Sequence, residues 1–186
     1  IDMQTWGGIE FKDAALDKVE HLAEYLAQCP HDIEIATERS IEVDMDGVTI
    51  RGRLDRLEVD PDGRVQIVDF KTGKVASKQE VKDHAQLAIY QIALGQMIAN
   101  GADLGLDRQA SEVNGAKLVF LAKKLQERTQ SVLNEDEKYA WHAVIQSAGE
   151  IARGIRLQAK PDNTKCSRCV FARSCPAQDS GRRTVD

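Results

Sequence analysis

The sequence predicts an α/β fold: a mixed central β-sheet flanked by helices, with a C-terminal tail that bears cysteines. Three observations predict it. Three strand-like runs follow one another, separated by tight-turn signals; an almost wholly apolar helix comes next; a further short apolar run lies beyond that helix. The resulting order is α-β-β-β-α-β-α.

The first helix is expected from Glu10 to Gln28, with Ala15, Val19, Leu22, Ala23 and Leu26 at helical spacing. Cys29-Pro30 stops it, because proline disfavours helical geometry in the residue before it. Strands are expected over Glu34–Asp44, Val48–Asp60 and Arg64–Lys71, with turns at Met45–Gly47 and Pro61–Gly63. A helix over Gln79–Asn100 closes at Gly101; its middle, residues 85–94, is apolar nearly all round and so should be buried against the sheet. Residues 101–114 read as loop and Lys117–Lys123 as a fourth strand. Glu135–Ala159 reads as a third helix with Ala140, Ala143, Val144, Ser147, Ile151 and Ile155 on its inner stripe.

At 186 residues, 42% apolar and 30% charged, the composition is that of an ordinary globular chain of one domain. Its expected parts are a leading helix (1–33), a core (34–160) and a tail (161–186). A net charge of −5 argues against a generally basic nucleic-acid coat but leaves room for a local basic groove. The longest apolar run, Leu87–Ala99, contains Gln91, Gly95 and Gln96, so no segment should span a membrane. No signal peptide is seen. The chain opens on Ile1 rather than Met, which suggests a piece cut from a longer polypeptide. Four cysteines, three of them near the C-terminus, suit a metal site in a reducing, cytoplasmic setting better than a disulfide framework.

The chemistry concentrates in two neighbouring strands. Side chains alternate along a strand, so Val65, Ile67, Asp69 and Lys71 should share one face. Pro61-Asp62-Gly63 suits a three-residue hairpin loop with glycine in the left-handed position at its end. A loop centred on residue 62 sets Asp55 opposite Asp69, with Cβ atoms about 5 Å apart. Two facing carboxylates repel. A shared proton would offset this, and a divalent cation would do so better, since hard oxygen donors suit Mg²⁺ or Mn²⁺. Lys71 would then neutralise charge on a phosphate and hold the attacking water. Taken alone, Asp-x-Lys on a strand is commonly a solvated salt bridge.

These residues carry a resemblance. Gly52-Arg53-Leu54-Asp55-Arg56, then Asp69-Phe70-Lys71-Thr72-Gly73, then Gln86 with Tyr90 are similar to the G-x-x-D-R, D-[FY]-K-T-G and Q-x-x-x-Y motifs of the RecB-like branch of the PD-(D/E)XK nucleases. The resemblance covers roughly residues 34 to 100. It implies a restriction-endonuclease-like core and a metal-dependent DNA nuclease. Asp55, Asp69 and the Phe70 backbone carbonyl would be the metal ligands and Lys71 the catalytic lysine, with Gln86 and Tyr90 contacting DNA or supporting that lysine. Glu38 would play a supporting role on the preceding strand. Phosphate contacts are expected among Arg51, Arg53, Arg56, Lys74 and Lys78.

Cys166-x₂-Cys169-x₅-Cys175 resembles the cysteine triplet of the iron–sulfur members of that branch and implies a [4Fe–4S] cluster; on its own, Cys-x-x-Cys would favour zinc. Cys29 is the one candidate for a fourth ligand. The family's early Gly-x-x-x-His is absent, and none of His21, His31, His84 and His142 replaces it. An N-terminal truncation would account for that. The resemblance is greatest to AddB- and AdnB-type modules, which implies a superfamily-1 helicase motor in the same polypeptide, a second helicase–nuclease subunit and a role in double-strand break repair. No Walker motif occurs in this chain. The alternatives are a catalytically silent, DNA-binding or structural module of the same fold, and a stand-alone Cas4-like exonuclease.

Overall fold

Five strands form one sheet in the order β1-β2-β3-β4-β5: β1 Glu34–Met45, β2 Val48–Val59, β3 Arg64–Lys71, β4 Glu112–Phe120 and β5 Gln126–Gln130. The computed structural model describes residues 6–45, 47–154, 166–170, 172 and 175. The helices are α1 Trp6–Gln28, α2 Lys78–Lys82, α3 Ala85–Ala99 and α4 Glu135–Ala152, and a short 3₁₀ turn follows at Cys166–Arg168. The chain divides into two units, one running to Gln146 and one from Ser147.

The sheet is mixed, as expected. β1, β2 and β3 form an antiparallel meander, β3 pairs parallel with β4, and β4 pairs antiparallel with β5. Parallel pairing of β3 with β4 needs a crossover, which α2 and α3 supply. The β2–β3 hairpin has the expected loop. Asp60 N–H donates to Arg64 O, the Asp60 carboxylate accepts from the N–H groups of Asp62 and Arg64, and Gly63 takes φ 80°. Its register follows: Arg56 faces Val68, Leu57 faces Ile67 and Val59 faces Val65.

Each face of the sheet buries a different set. The larger core joins Leu57, Val59, Val65, Ile67 and Leu118 to Leu87, Ala88, Ile92 and Leu94 of α3. On the other face Val68, Val119 and Leu121 pack against Tyr25 of α1. A buried apolar side chain of this size contributes about 1.5–3 kcal/mol, so the larger cluster dominates the stability of this unit.

Several local expectations give way to tertiary packing. The helix expected over Gln79–Asn100 is broken between Lys82 and Ala85, where Asp83 ends α2 and His84 caps α3. β4 starts at Glu112 inside the expected loop, and β5 was not expected at all; its five residues are mostly polar. The third helix ends at Ala152 rather than Ala159, and Ile155 of the expected stripe lies outside the described residues. Ile145, with Trp141, is the side of α4 that joins the core, whereas Val144 and Ile151 are exposed. Among the described side chains of α1, Tyr25 is buried at 2% exposure and Leu22 of the expected stripe packs on the same cluster, while Val19 and Leu26 of that stripe are 62% and 43% exposed.

Candidate active site

The hairpin ladder is paired from Val59/Val65 to Arg56/Val68, and Asp55 follows at its open end. Its partner on the other side, Glu38, has φ 54° and drops out of the β1–β2 ladder. Leu54 and Leu57 both enter the core on the α3 face, so β2 abandons strict alternation as it passes Asp55. The Asp55 carboxylate takes over where backbone pairing stops: Oδ2 accepts from the Phe70 N–H at 2.9 Å.

Asp69 and Lys71 lie one pleat apart on β3, and Lys71 Nζ stands 2.7 Å from Asp69 Oδ2. Among the described residues the Lys71 ammonium is the one donor that reaches this buried oxygen. Burial raises the Asp69 carboxyl above the ordinary aspartate range; Lys71 opposes the shift and the neighbouring Asp55 charge reinforces it. A half-satisfied buried carboxylate beside a second one is costly unless something else occupies the space. The donors present are two carboxylates and, next to them, the Phe70 carbonyl. They fit a hard divalent cation. Among the described residues no group of three or more His, Cys, Asp and Glu is arranged to hold a metal ion.

From the opposite side α3 brings two polar residues to the lysine. Gln86 Oε1 accepts from Lys71 Nζ at 3.3 Å, Gln86 Nε2 donates to the Tyr90 hydroxyl at 3.2 Å, and that hydroxyl donates to Arg53 O at 3.3 Å. A continuous line thus runs from Asp69 through Lys71, Gln86 and Tyr90 to the backbone of β2. Gly52 makes room for it. A Cβ there would stand 2.8 Å from Tyr90 Cε1 and 3.3 Å from Ile41 Cγ1, closer than side chains pack. The three sequence motifs, scattered over residues 52–90, therefore meet at one place.

Other expected site residues are placed differently. Arg56, expected to touch phosphate, is 5% exposed and lies on the α1 face. There its Nε donates to Glu58 Oε1 at 2.8 Å, so it cannot reach nucleic acid on the Asp55 face. Cys29, the candidate fourth cluster ligand, is turned into the same network. Its thiol lies 3.4 Å from Tyr25 O and 3.6 Å from Glu58 Oε1, and burial and the Glu58 charge push it up, away from the thiolate a metal needs. Arg51 and Arg53 are exposed but paired, with Glu42 at 2.9 Å and Glu38 at 2.6 Å. Lys74 and Lys78 are exposed just beyond β3. Cys166 and Cys169 are joined by a backbone turn bond of 3.2 Å, Cys175 follows at 3.4 Å from Ala172 O, and none of the four cysteines forms a disulfide. His21 Nδ1 lies 2.9 Å from Leu121 O, on the α1 face.

One neighbour of the site escaped the sequence. His84 caps α3, its Nδ1 accepting from Leu87 N–H at 3.4 Å, and it senses both charges of the site. Burial and the Lys71 charge lower it below the ordinary histidine range, against an opposing pull from Asp69. Its position two residues before Gln86 was the available signal, hidden because Val81, Ala85 and Ala88 keep helical spacing across the boundary.

The sequence matches the family model of the PD-(D/E)XK nuclease superfamily over residues 4–176. No curated protein sequence matches. Among solved structures, that of a protein called SSO0001 is 19% identical, with a TM-score of 0.45, over 91% of this chain and 78% of its own. A protein of Eubacterium rectale carrying the provisional name exonuclease is 13% identical, with a TM-score of 0.43, over 82% of this chain and 65% of its own. Neither likeness is close enough to carry anything about activity. The family match, which begins before the first strand and runs past the last cysteine, is another matter: this chain belongs to the PD-(D/E)XK nuclease superfamily.

Proposed function

We propose that this chain is the nuclease module of a DNA-processing enzyme and hydrolyses phosphodiester bonds with Mg²⁺ or Mn²⁺ held by Asp55, Asp69 and the Phe70 carbonyl. One observation carries the reading: Asp69 is buried beside a second carboxylate, and among the described residues Lys71 alone brings a donor to its Oδ2. A bound divalent ion would polarise a phosphoryl oxygen and lower the pKa of a coordinated water. Lys71 places a positive charge where negative charge builds on the phosphate, and Gln86 and Tyr90 hold the direction of its ammonium group. Water would add at phosphorus and give up a proton to solvent as the bond to the leaving sugar oxygen breaks and that oxygen takes a proton from solvent. Lys74 and Lys78, exposed just beyond β3, would be the phosphate contacts that track the strand. The finer reading is an exonuclease fed by a superfamily-1 motor in double-strand break repair, with Cys166, Cys169 and Cys175 binding [4Fe–4S] in the intact protein; it rests on the motif resemblance.

The test is cleavage of labelled single-stranded DNA with and without Mn²⁺, comparing wild type with Asp69→Asn and Lys71→Ala. Metal-dependent cutting lost in both variants supports the proposal. Cutting that survives in Asp69→Asn refutes it. No cutting by wild type, with DNA still bound, would favour a catalytically silent module, a reading that the absence of a third metal-binding side chain among the described residues keeps in play.

A further inference from the structure

We infer that Gln130, on the edge strand β5, is a positioning residue for the Lys71–Gln86 pair, acting through the break between α2 and α3. The inference deepens the nuclease reading of this site and rests on it.

The break needs an explanation, because Val81, Ala85 and Ala88 keep helical spacing across it. A helix that stops leaves its last carbonyls without intrahelical partners, and buried carbonyls need donors. At the break Val81 O accepts from His84 N–H at 3.2 Å and His84 O from Ala88 N–H at 3.1 Å, and a further, side-chain donor reaches both of them and Lys82 O from Gln130. Its Nε2 lies 3.0 Å from Val81 O, 3.0 Å from Lys82 O and 3.2 Å from His84 O, so two N–H groups serve three carbonyls across the break. Its Oε1 accepts from Gln91 Nε2 at 2.9 Å. Gln91 also donates to Ser131 O at 3.2 Å and accepts from Leu133 N–H at 3.3 Å. Donors and acceptors run one way through both amides, so neither can flip without losing bonds at each end. The two side chains are 3% and 5% exposed.

The anchor is itself seated. β4 carries an irregularity that shifts its register against β3 between Val65 and Ile67, and Gly115 in that stretch has φ 90°. A Cβ at Gly115 would lie 2.7 Å from Gln130 O, so the bulge lets the backbone of β5 come close enough for Gln130 to reach the break.

Position links the clamp to the chemistry. Val81, Lys82 and His84 immediately precede Gln86, the second residue of α3. Because α2 and α3 are not one helix, the direction of Gln86 is set by the break and not by α2. Its contact with Lys71 is 3.3 Å long, near the limit of a hydrogen bond, so a small shift of the α3 N-terminus would break it. Misplacement of that size costs far more in rate than in binding.

The experiment measures kcat and KM for metal-dependent DNA cleavage by the full chain in five forms: wild type, Gln130→Met, Gln86→Ala, the double variant and Lys71→Ala. Gln130→Met keeps the side-chain length and removes every polar contact. It should lower kcat about tenfold, leave KM within about twofold, and add nothing once Gln86 is already alanine. Losses that multiply in the double variant would show that Gln130 acts independently of Gln86 and overturn the inference. Gln91→Leu weakens the far end of the clamp but leaves the Gln130 donors in place. It serves as the second probe if Gln130→Met unfolds, with a smaller kcat loss expected that again vanishes in the Gln86→Ala background. Full activity of Lys71→Ala would bring down the nuclease reading and the inference with it. An inactive Lys71→Ala beside wild-type kcat in the Gln130 and Gln91 variants would bring down the inference alone.

Discussion

The two faces of this sheet each bury a carboxylate against a lysine, and treat it in opposite ways. On the α1 face Glu58 accepts from the Tyr25 hydroxyl at 2.6 Å and Arg56 Nε at 2.8 Å, and Lys117 Nζ lies 3.2 Å away. Burial alone would raise Glu58, yet these three partners bring it below the ordinary glutamate range. Tyr25 in turn meets the ring of Phe70 edge-on at 5.6 Å, and burial with the Glu58 bond pushes its hydroxyl far up. On the α3 face Asp69 has one ion pair, with Lys71, a second carboxylate beside it and a raised pKa. A carboxylate that holds the fold together is saturated with donors. One with a single partner is, on the proposed nuclease reading, kept for a cation.

Substitutions at the two carboxylates should separate these roles most sharply. Asp69→Asn should cut metal-dependent cleavage on the order of 10³-fold, while the metal-free protein melts at or above the wild-type temperature, since a poorly satisfied buried charge has been removed. A clear drop in metal-free melting temperature would mean that Asp69 is structural after all. Glu58→Gln should do the reverse. It leaves Arg56 and Lys117 buried without their anion and should destabilise by about 3 kcal/mol in urea unfolding. Cleavage by the folded fraction should stay within a few-fold of wild type.

Gly52→Ala tests whether the α3 face depends on the Tyr90 line. The new Cβ must displace the Tyr90 ring, so kcat should fall about tenfold for a stability loss of only about 1 kcal/mol. Stability falling more steeply than rate would place Gly52 in the packing rather than in the site.

The pKa directions make the contrast readable without any mutation. The Asp69 folded value lies above its unfolded one, so its contribution to stability is fully present below the ordinary aspartate range and is lost as pH rises through the folded value. The Glu58 folded value lies below its unfolded one. Its contribution is present above the ordinary glutamate range and is lost as pH falls through the folded value. Metal-free unfolding free energies from about pH 3 to 7 should therefore carry two opposed slopes. Asp69→Asn should erase the first and Glu58→Gln the second; a variant that leaves its slope intact would show the assignment to be misplaced.

The smallest effect concerns the cations. Lys78→Ala should weaken DNA binding modestly and reduce its log–log salt slope by about 1, as loss of one phosphate contact requires. Arg56, buried on Glu58, should contribute nothing to that slope, and Arg56→Met is expected to alter stability instead. An unchanged slope for Lys78→Ala would move the DNA path elsewhere.

Much of the site was legible because it is local. The Pro61-Asp62-Gly63 turn fixes the register of its hairpin, and alternation puts Asp69 and Lys71 on one side. Spacing of four residues on a helix puts Gln86 beside Tyr90. What could not be read is equally specific. Arg56 sits in a motif beside Asp55, and nothing in its neighbours reveals that Tyr25, Cys29 and Lys117 gather around Glu58 to bury it. The polar strand β5 has no hydrophobic signature because it is an edge strand that pairs with β4 alone.

By itself, then, the sequence determined the turn, the register beside it, the shared side of Asp69 and Lys71 and the nearness of Gln86 to Tyr90, since each depends on residues a few positions apart and on backbone geometry that every strand and helix shares. Only the tertiary structure decided which charges are spent on the fold and which keep a single partner, where the long apolar helix breaks, and which sides of α1 and α4 face inward. Those outcomes depend on donors and apolar surfaces brought together from remote parts of the chain. The free energy of a buried charge is a property of that company, not of its neighbours in sequence.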